Sequence, residues 1–115
     1  MKDDKQIDWF DLGKVSDIPK RGSRRVTLAG TRIGVFRTQA DEVFALEDKC
    51  PHLGGPLSEG IVHGNCVTCP LHNWIIDLQG GTAQGADSGS VKSYPVNVSN
   101  KRIYLGVEKN LSIVN

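Results

Sequence analysis

The sequence predicts an all-β protein built of small antiparallel sheets. Apolar residues alternate with polar ones over short spans, 13 glycines punctuate the 115 residues, and no stretch keeps helical spacing for three turns. A chain of this length is expected to form one domain over residues 1–115, with residues 1–7 flexible. The predicted class therefore depends on strand periodicity and turn spacing.

The N-terminal half predicts a first strand followed by an antiparallel meander. Trp9, Phe10 and Leu12 belong to the first strand, and Pro19 blocks the continuation of the turn after it. The meander strands are predicted at residues 25–29, 32–37 and 42–47.

The C-terminal part predicts a further pair of strands. Residues 92–98 form an extended segment whose Pro95 suits a sheet edge. Residues 102–107 are expected to pair with it across a turn at residues 99–101. Residues 111–114 are expected to add a last short strand.

Charge and composition exclude several classes of partner. The formal net charge is +1 with both signs mixed along the chain, so neither nucleic acid nor a membrane surface is expected as a partner. The N-terminus lacks an apolar signal-peptide core and no window is long enough to span a membrane, which predicts a soluble, unexported protein. Three cysteines, at positions 50, 66 and 69, argue against a disulfide framework and favour a reducing, cytoplasmic compartment.

Two Cys/His pairs stand in the middle of the chain. Cys50 and His52 are separated by one residue, and sixteen residues later Cys69 and His72 are separated by two. A proline follows each cysteine directly, and the Gly-Gly-Pro sequence at residues 54–56 permits a sharp return of the chain. Thiolates and imidazoles on two neighbouring turns make a metal-ligand set.

The order of the ligands favours one metal centre over another. A Cys2His2 set is compatible with tetrahedral zinc, but zinc sites usually use cysteine pairs followed by histidine pairs. Here each turn supplies one cysteine and one histidine, so each turn can give one ligand to each of two metal ions, as in a Rieske [2Fe-2S] cluster. The predicted ligands are Cys50 and Cys69 on one iron, and His52 and His72 on the other.

The motif CPH…CPLH resembles the Rieske family, and more narrowly the small subunits of assimilatory NAD(P)H nitrite reductase. The narrower resemblance extends over about residues 8–107 and is carried by residues 54–64, 67–74 and 86–96. It implies a Rieske-type fold with the cluster at the tips of two hairpin loops, and a role in electron transfer. It also implies a large partner subunit with flavin, an iron–sulfur cluster and sirohaem, which reduces nitrite to ammonia. No catalytic residue is assigned to this chain, which lacks a dinucleotide-binding signature.

Two other functions fit the same ligand set. The chain could be a free-standing Rieske ferredoxin that serves an aromatic-ring dioxygenase, although the Asn-Trp-Ile-Ile-Asp sequence after His72 differs from the Gly-and-Phe pattern expected in such ferredoxins. It could instead be a Cys2His2 zinc module or a cluster-free interaction module.

Four positions near the ligands predict a low reduction potential. Respiratory Rieske relatives carry a Ser and a Tyr that donate hydrogen bonds to the cluster where this chain has Trp74 and Ile76. They also carry a disulfide at the positions of Gly55 and Leu71. Without these features, the potential is expected at or below about 0 mV.

Several residues near the ligands are assigned other roles. Cys66 is interpreted as a small buried hydrophobe at a strand position, and His63 as a turn residue. In protein that lacks its cluster, Cys69 could form a disulfide with Cys66 or with Cys50. Trp74 is expected to pack under the second cluster turn rather than to lie exposed at a docking face. The Gly- and Ser-rich segment 82–90 is either a third loop that covers the cluster or a plain surface loop.

Overall fold

Small antiparallel sheets make up the part of the chain that the structure describes, which confirms the predicted all-β class. The structure is a computed structural model, and it describes residues 6–28, 30–51, 54–71, 73–84 and 89–108. No helix within these ranges is long and apolar enough to cross a membrane. The organisation of residues 1–115 as one domain stays a prediction.

Ten strands are present in the described residues, together with two single 3-10 turns. In chain order, the strands are β1 (Ile7–Lys14), β2 (Gly22–Leu28), β3 (Thr31–Arg37), β4 (Val43–Glu47), β5 (Ile61–His63), β6 (Cys66–Thr68), β7 (Ile75–Asp77), β8 (Ser93–Tyr94), β9 (Val96–Ser99) and β10 (Arg102–Glu108). The 3-10 turns are Val15–Asp17, after β1, and Leu57–Glu59, before β5.

The first sheet joins both ends of the described chain. Its central strand is β10, which pairs antiparallel with β1 on one side and with β9 on the other. Because β1 begins at Ile7, whose register partner is Glu108, the predicted flexible segment does not extend to residue 7. Residues 1–5 lie outside the described residues.

The second sheet has the order β2-β3-β4-β8, and its first three strands form the predicted meander. The segment predicted as extended over residues 92–98 contains two strands, because the chain changes sheets at Pro95. On one side of it β8 pairs with β4, and on the other β9 pairs with β10. Proline has no N–H group to donate to a ladder, while its carbonyl accepts a hydrogen bond from the Gly106 amide at 2.9 Å. The strand predicted at residues 111–114 lies outside the described residues.

The third sheet, β5-β6-β7, packs against the second, and β3 separates two apolar clusters. Ile33 and Val35 belong to a cluster shared with the first sheet, whereas Phe36 belongs to one shared with the third. Side chains that alternate along a strand point to opposite faces, so one central sheet supports both clusters. Cys50 and Cys69 are buried in the cluster under the third sheet.

Candidate metal centre

The loop between β6 and β7 carries Cys69. The backbone N–H of Cys69 donates to the Trp74 carbonyl at 2.7 Å, which closes this hairpin connection. The Leu71 amide donates to Cys69 Sγ at 3.4 Å. The loop therefore holds the sulfur inward and supplies it with one backbone donor.

The loop after β4 carries Cys50 and is equally tight. The Gly54 amide donates to the Cys50 carbonyl at 2.8 Å, and the Cys50 amide donates to the Gly55 carbonyl at 2.7 Å. Gly54 has a φ of +77°, in the left-handed region that favours glycine. This loop connects β4 of the second sheet with β5 of the third, so it bridges two sheets whereas the other loop is a hairpin connection.

Gly55 determines how closely the two loops approach. A Cβ atom at this position would lie 2.7 Å from Leu71 Cδ1 and 3.3 Å from Cys69 Sγ, so a larger residue would require a shift of the second loop. Positions 55 and 71, where the respiratory relatives carry a disulfide, therefore face each other across the two loops. Here the bare glycine backbone packs against leucine instead.

The two thiols are buried beside each other. Cys50 is 2% exposed and Cys69 is 0% exposed, and their side chains interact directly. Burial raises the pKa of the Cys69 thiol; the Leu71 amide lowers that pKa and the Cys50 thiol raises it, each to a smaller extent. Two thiolates in such an apolar place need a cation to offset their desolvation. The donor pair therefore fits a thiolate-bound metal.

The histidines of the predicted set, His52 and His72, lie outside the described residues. Among the residues that are described, no group of three or more His, Cys, Asp or Glu side chains is close enough to hold a metal ion. The described part of the site thus contributes two thiols, and the four-ligand set stays a prediction.

Apolar residues exclude water from beneath the loops. Ile76 is fully buried, and Trp74 packs against the same cluster, which confirms the predicted packing role of Trp74. Gly89 lies against both loops, because a Cβ atom there would be 3.0 Å from Pro51 Cβ and 3.8 Å from Trp74 Cζ3. The described part of segment 82–90 therefore favours a third loop that packs on the cluster loops, while residues 85–88 lie outside the described residues.

Cys66 lies on the outer face of β6, which confirms a strand position but not complete burial. Its neighbour Val67 is fully buried, so the alternation of the strand turns the Cys66 side chain outward, beside its register partner Asp77. Partial burial raises the pKa of the Cys66 thiol, and the Asp77 carboxylate adds to the rise. This orientation disfavours a disulfide with the inward-facing Cys69.

His63 is the last residue of β5, so the prediction that it lies in the turn is wrong by one position. The turn follows at Gly64, whose φ is +54°. His63 Nε2 lies 2.6 Å from Thr68 Oγ1 on β6, directly before Cys69. The imidazole therefore ties two strands of the third sheet together.

Asp48 is a supporting residue that sequence reasoning missed. Its buried carboxylate accepts hydrogen bonds from Arg25 Nε at 2.6 Å, and from the backbone N–H and hydroxyl of Ser58, both at 2.7 Å. Ser58 belongs to the 3-10 turn that ends the first loop, so one carboxylate ties both ends of that loop to β2. In the sequence, Asp48 is only an acidic residue two positions before Cys50. Nothing in that position reveals that its hydrogen-bond partners are Arg25 and Ser58.

Comparison with known proteins identifies a family. The Rieske [2Fe-2S] domain matches residues 8–95. The anthranilate 1,2-dioxygenase ferredoxin subunit of Burkholderia cepacia is 33% identical over 101 residues, which cover 87% of this chain and 93% of that protein. Cholesterol 7-desaturase nvd of Hemicentrotus pulcherrimus is 34% identical over 74 residues, but the match spans 16% of that protein.

Solved structures share the fold over almost the whole chain. One is a chain assigned as an NADH-dependent nitrite reductase small subunit from Mycobacterium tuberculosis, with a TM-score of 0.81 and 23% identity, covering 94% of this chain and 100% of that one. Another comes from the complex of reduced oxygenase and oxidized ferredoxin in carbazole 1,9a-dioxygenase, with a TM-score of 0.78 and 28% identity, covering 90% and 96%. At 23% identity, the first likeness concerns the fold alone.

Replacing Asp48 with alanine is expected to lower the free energy of unfolding by about 2–4 kcal/mol, because Ser58 N–H and Arg25 lose a buried charged acceptor. Urea denaturation of both proteins measures this difference. Glu59→Ala is the matched control, since its carboxylate lies 3.8 Å from the same arginine but its side chain is 67% exposed. A similar loss in both variants would contradict the role given to Asp48.

The variant Gly55→Ala is expected to lose about 1–3 kcal/mol of stability and part of its iron, because the added methyl group clashes with Leu71. Urea denaturation and iron analysis provide the two readouts. Leu71→Ala in the same chain makes room for the methyl group and should restore part of both losses. If the double variant is no better than the single one, the steric explanation fails.

Proposed function

Because the chain belongs to the Rieske [2Fe-2S] domain family, which binds a Rieske-type cluster, we propose that its two loops hold that [2Fe-2S] cluster through two cysteines and two histidines. The proposed ligands are Cys50, His52, Cys69 and His72. The observation that carries this proposal is the pair of adjacent buried thiols at the point where the two loops meet. When bound, the cluster supplies one-electron transfer.

The described residues bind and shield the group rather than perform a reaction. Cys50 and Cys69 supply sulfur ligands within an apolar cluster, and the Leu71 amide donates to one of these sulfurs. Hydrogen bonds to ligand sulfurs stabilise their negative charge and tune the potential. We assign no catalytic residue to this chain, so the chemical reaction belongs to a partner.

We propose further that the chain is the electron-transfer small subunit of an assimilatory NAD(P)H nitrite reductase in the cytoplasm. Its partner is then a large subunit with flavin, an iron–sulfur cluster and sirohaem. The resemblance of residues 54–64, 67–74 and 86–96 supports this assignment. The full-length fold likeness to the chain from Mycobacterium tuberculosis is compatible with it.

A ferredoxin for an aromatic-ring dioxygenase is the second candidate. The 33% identity to the anthranilate 1,2-dioxygenase ferredoxin subunit, over nearly the full length of both chains, favours it. The sequence after His72 departs from the Gly-and-Phe pattern expected in such ferredoxins, but this departure is weak evidence against the second candidate. Asn73 has a φ of +58°, a backbone conformation that glycine also adopts readily. A zinc or cluster-free module is the third candidate, and metal analysis distinguishes it.

Serine substitution of a ligand tests the cluster site. Cys50→Ser and Cys69→Ser are each expected to lose most of the bound iron and acid-labile sulfide, because each removes a thiolate ligand. Cys66→Ser is the matched control and should retain both, since that thiol faces away. Metal analysis and EPR spectra of anaerobically purified protein provide the measurement; zinc without sulfide in the wild-type protein would support the third candidate.

The reduction potential is expected at or below about 0 mV, because Trp74 and Ile76 provide no hydroxyl donors to the cluster. Redox titration monitored by EPR measures it. A midpoint well above this value would show that other donors replace the missing hydroxyls.

Copurification and reconstitution distinguish the first two candidates. The tagged chain is expected to pull down a large sirohaem protein. When the small chain is then removed from this complex, NAD(P)H-dependent nitrite reduction should be lost, and adding the small chain back should restore it. Cys50→Ser should fail in the same assay. Restoration of ring hydroxylation, without any effect on nitrite reduction, would instead establish the second candidate.

A further inference from the structure

A cationic cleft lies between the turn after β1, the β3–β4 turn and the β9–β10 turn. Its volume is about 690 Å³, and the described residues that line it include four cations, Lys14, Arg37, Lys101 and Arg102, and one carboxylate, that of Asp41. Arg102 is already ion-paired with Asp11 beside the cleft, Nε to Oδ2 at 3.0 Å, and Arg37 is ion-paired with Asp41, so the excess positive charge of the cleft comes from its two lysines. A concave surface with several cations raises the local concentration of anions.

The cations of the cleft differ in how they are held. Arg37 donates to Asp41 Oδ1 at 2.8 Å and to the Ile18 carbonyl at 2.7 Å, and its side chain is only 15% exposed, so its guanidinium is fixed. Lys14 and Lys101 have no ion-pair partner within the described residues. Two ammonium groups are therefore available to an anionic ligand beside a rigid arginine.

Lys101 occupies a position that its turn would favour as glycine. Asn100 and Lys101 form the two-residue loop between β9 and β10, and their φ angles are +53° and +64°. Two-residue loops of this kind prefer Asn-Gly, because a long side chain is strained in the left-handed region. A lysine at this position therefore carries a conformational cost. The Lys101 carbonyl accepts a hydrogen bond from the Val15 N–H, but this backbone contact does not require a lysine side chain.

The walls of the cleft also include apolar side chains. Val15 and Val98 line it, and Val98 is 47% exposed. The volume lies in the range of sites for small organic ligands. Lysine and arginine together are common phosphate ligands. We propose that this cleft binds a phosphate-bearing organic anion of about nucleotide size.

This site is separate from the proposed metal centre. The strand β4 begins two residues after Asp41 and ends three residues before Cys50, and its five residues span about 16 Å. Ligand binding in the cleft therefore needs neither the cluster nor the redox partner. The proposal goes beyond electron transfer and can be tested whether or not the proposed function holds.

Isothermal titration calorimetry with adenosine diphosphate, pyrophosphate and adenosine tests the ligand class. Adenosine diphosphate is expected to bind saturably, pyrophosphate more weakly and adenosine not at all, with affinity falling as salt is raised. If pyrophosphate binds as tightly as the nucleotide, the nucleotide-size part of the proposal is wrong. If none binds saturably, or if an acidic glutamate peptide alone binds, the proposal is overturned.

Two glycine variants test the location of the site. Lys101→Gly is expected to weaken binding of adenosine diphosphate about tenfold or more through loss of a charge-assisted contact, while its urea midpoint stays at or above the wild-type value. Arg21→Gly is the matched control, because Arg21 also has a left-handed φ, of +60°, but does not line the cleft. It should bind as the wild-type protein does. Equal weakening in both variants would indicate a general charge effect and would overturn the site.

Discussion

The contact between Gly55 and Leu71 is the constraint on which the candidate metal centre depends. Two thiols distant in sequence become neighbours only if their loops nearly touch, and a Cβ atom at residue 55 would separate them. Such close packing leaves no space for solvent around the sulfurs, which are almost completely buried. The close approach of the two loops excludes water, and deprotonation of both thiols is therefore unfavourable when no cation is bound. A bound cation resolves this conflict, so packing and metal binding stabilise the same arrangement.

The supports of this contact come from different sheets. Asp48 ties the first loop to β2, whereas backbone hydrogen bonds and the packing of Ile76 hold the second loop on the third sheet. The central strand β3 connects these parts to a second apolar cluster, under the first sheet. The thiols therefore lie beyond the C-terminal end of β4, and the cationic cleft lies beyond its N-terminal end. This separation lets one small chain present two chemically different surfaces.

Local patterns in the sequence predicted much of the fold. Strand alternation and turn residues located the β2–β4 meander and the β9–β10 turn correctly, because these features join residues that are close in sequence. The same reasoning did not predict that the extended segment moves from one sheet to another at Pro95. It also gave no sign that β1 pairs with β10, since nothing in either strand specifies a partner so distant along the chain.

The sequence by itself determined the family and the type of cluster, because the spacing and alternation of Cys and His within two short motifs are local properties. The ligand set that those motifs predict, without Cys66, stays a prediction. Only the tertiary structure decided which residues support the thiols and which loops contact each other. Asp48, Ser58 and Gly89 act through neighbours that are distant in sequence, and their roles arise from packing in three dimensions. The cleft around Lys101 has the same origin, since three separate connections of the chain, after β1, between β3 and β4 and between β9 and β10, contribute its charges.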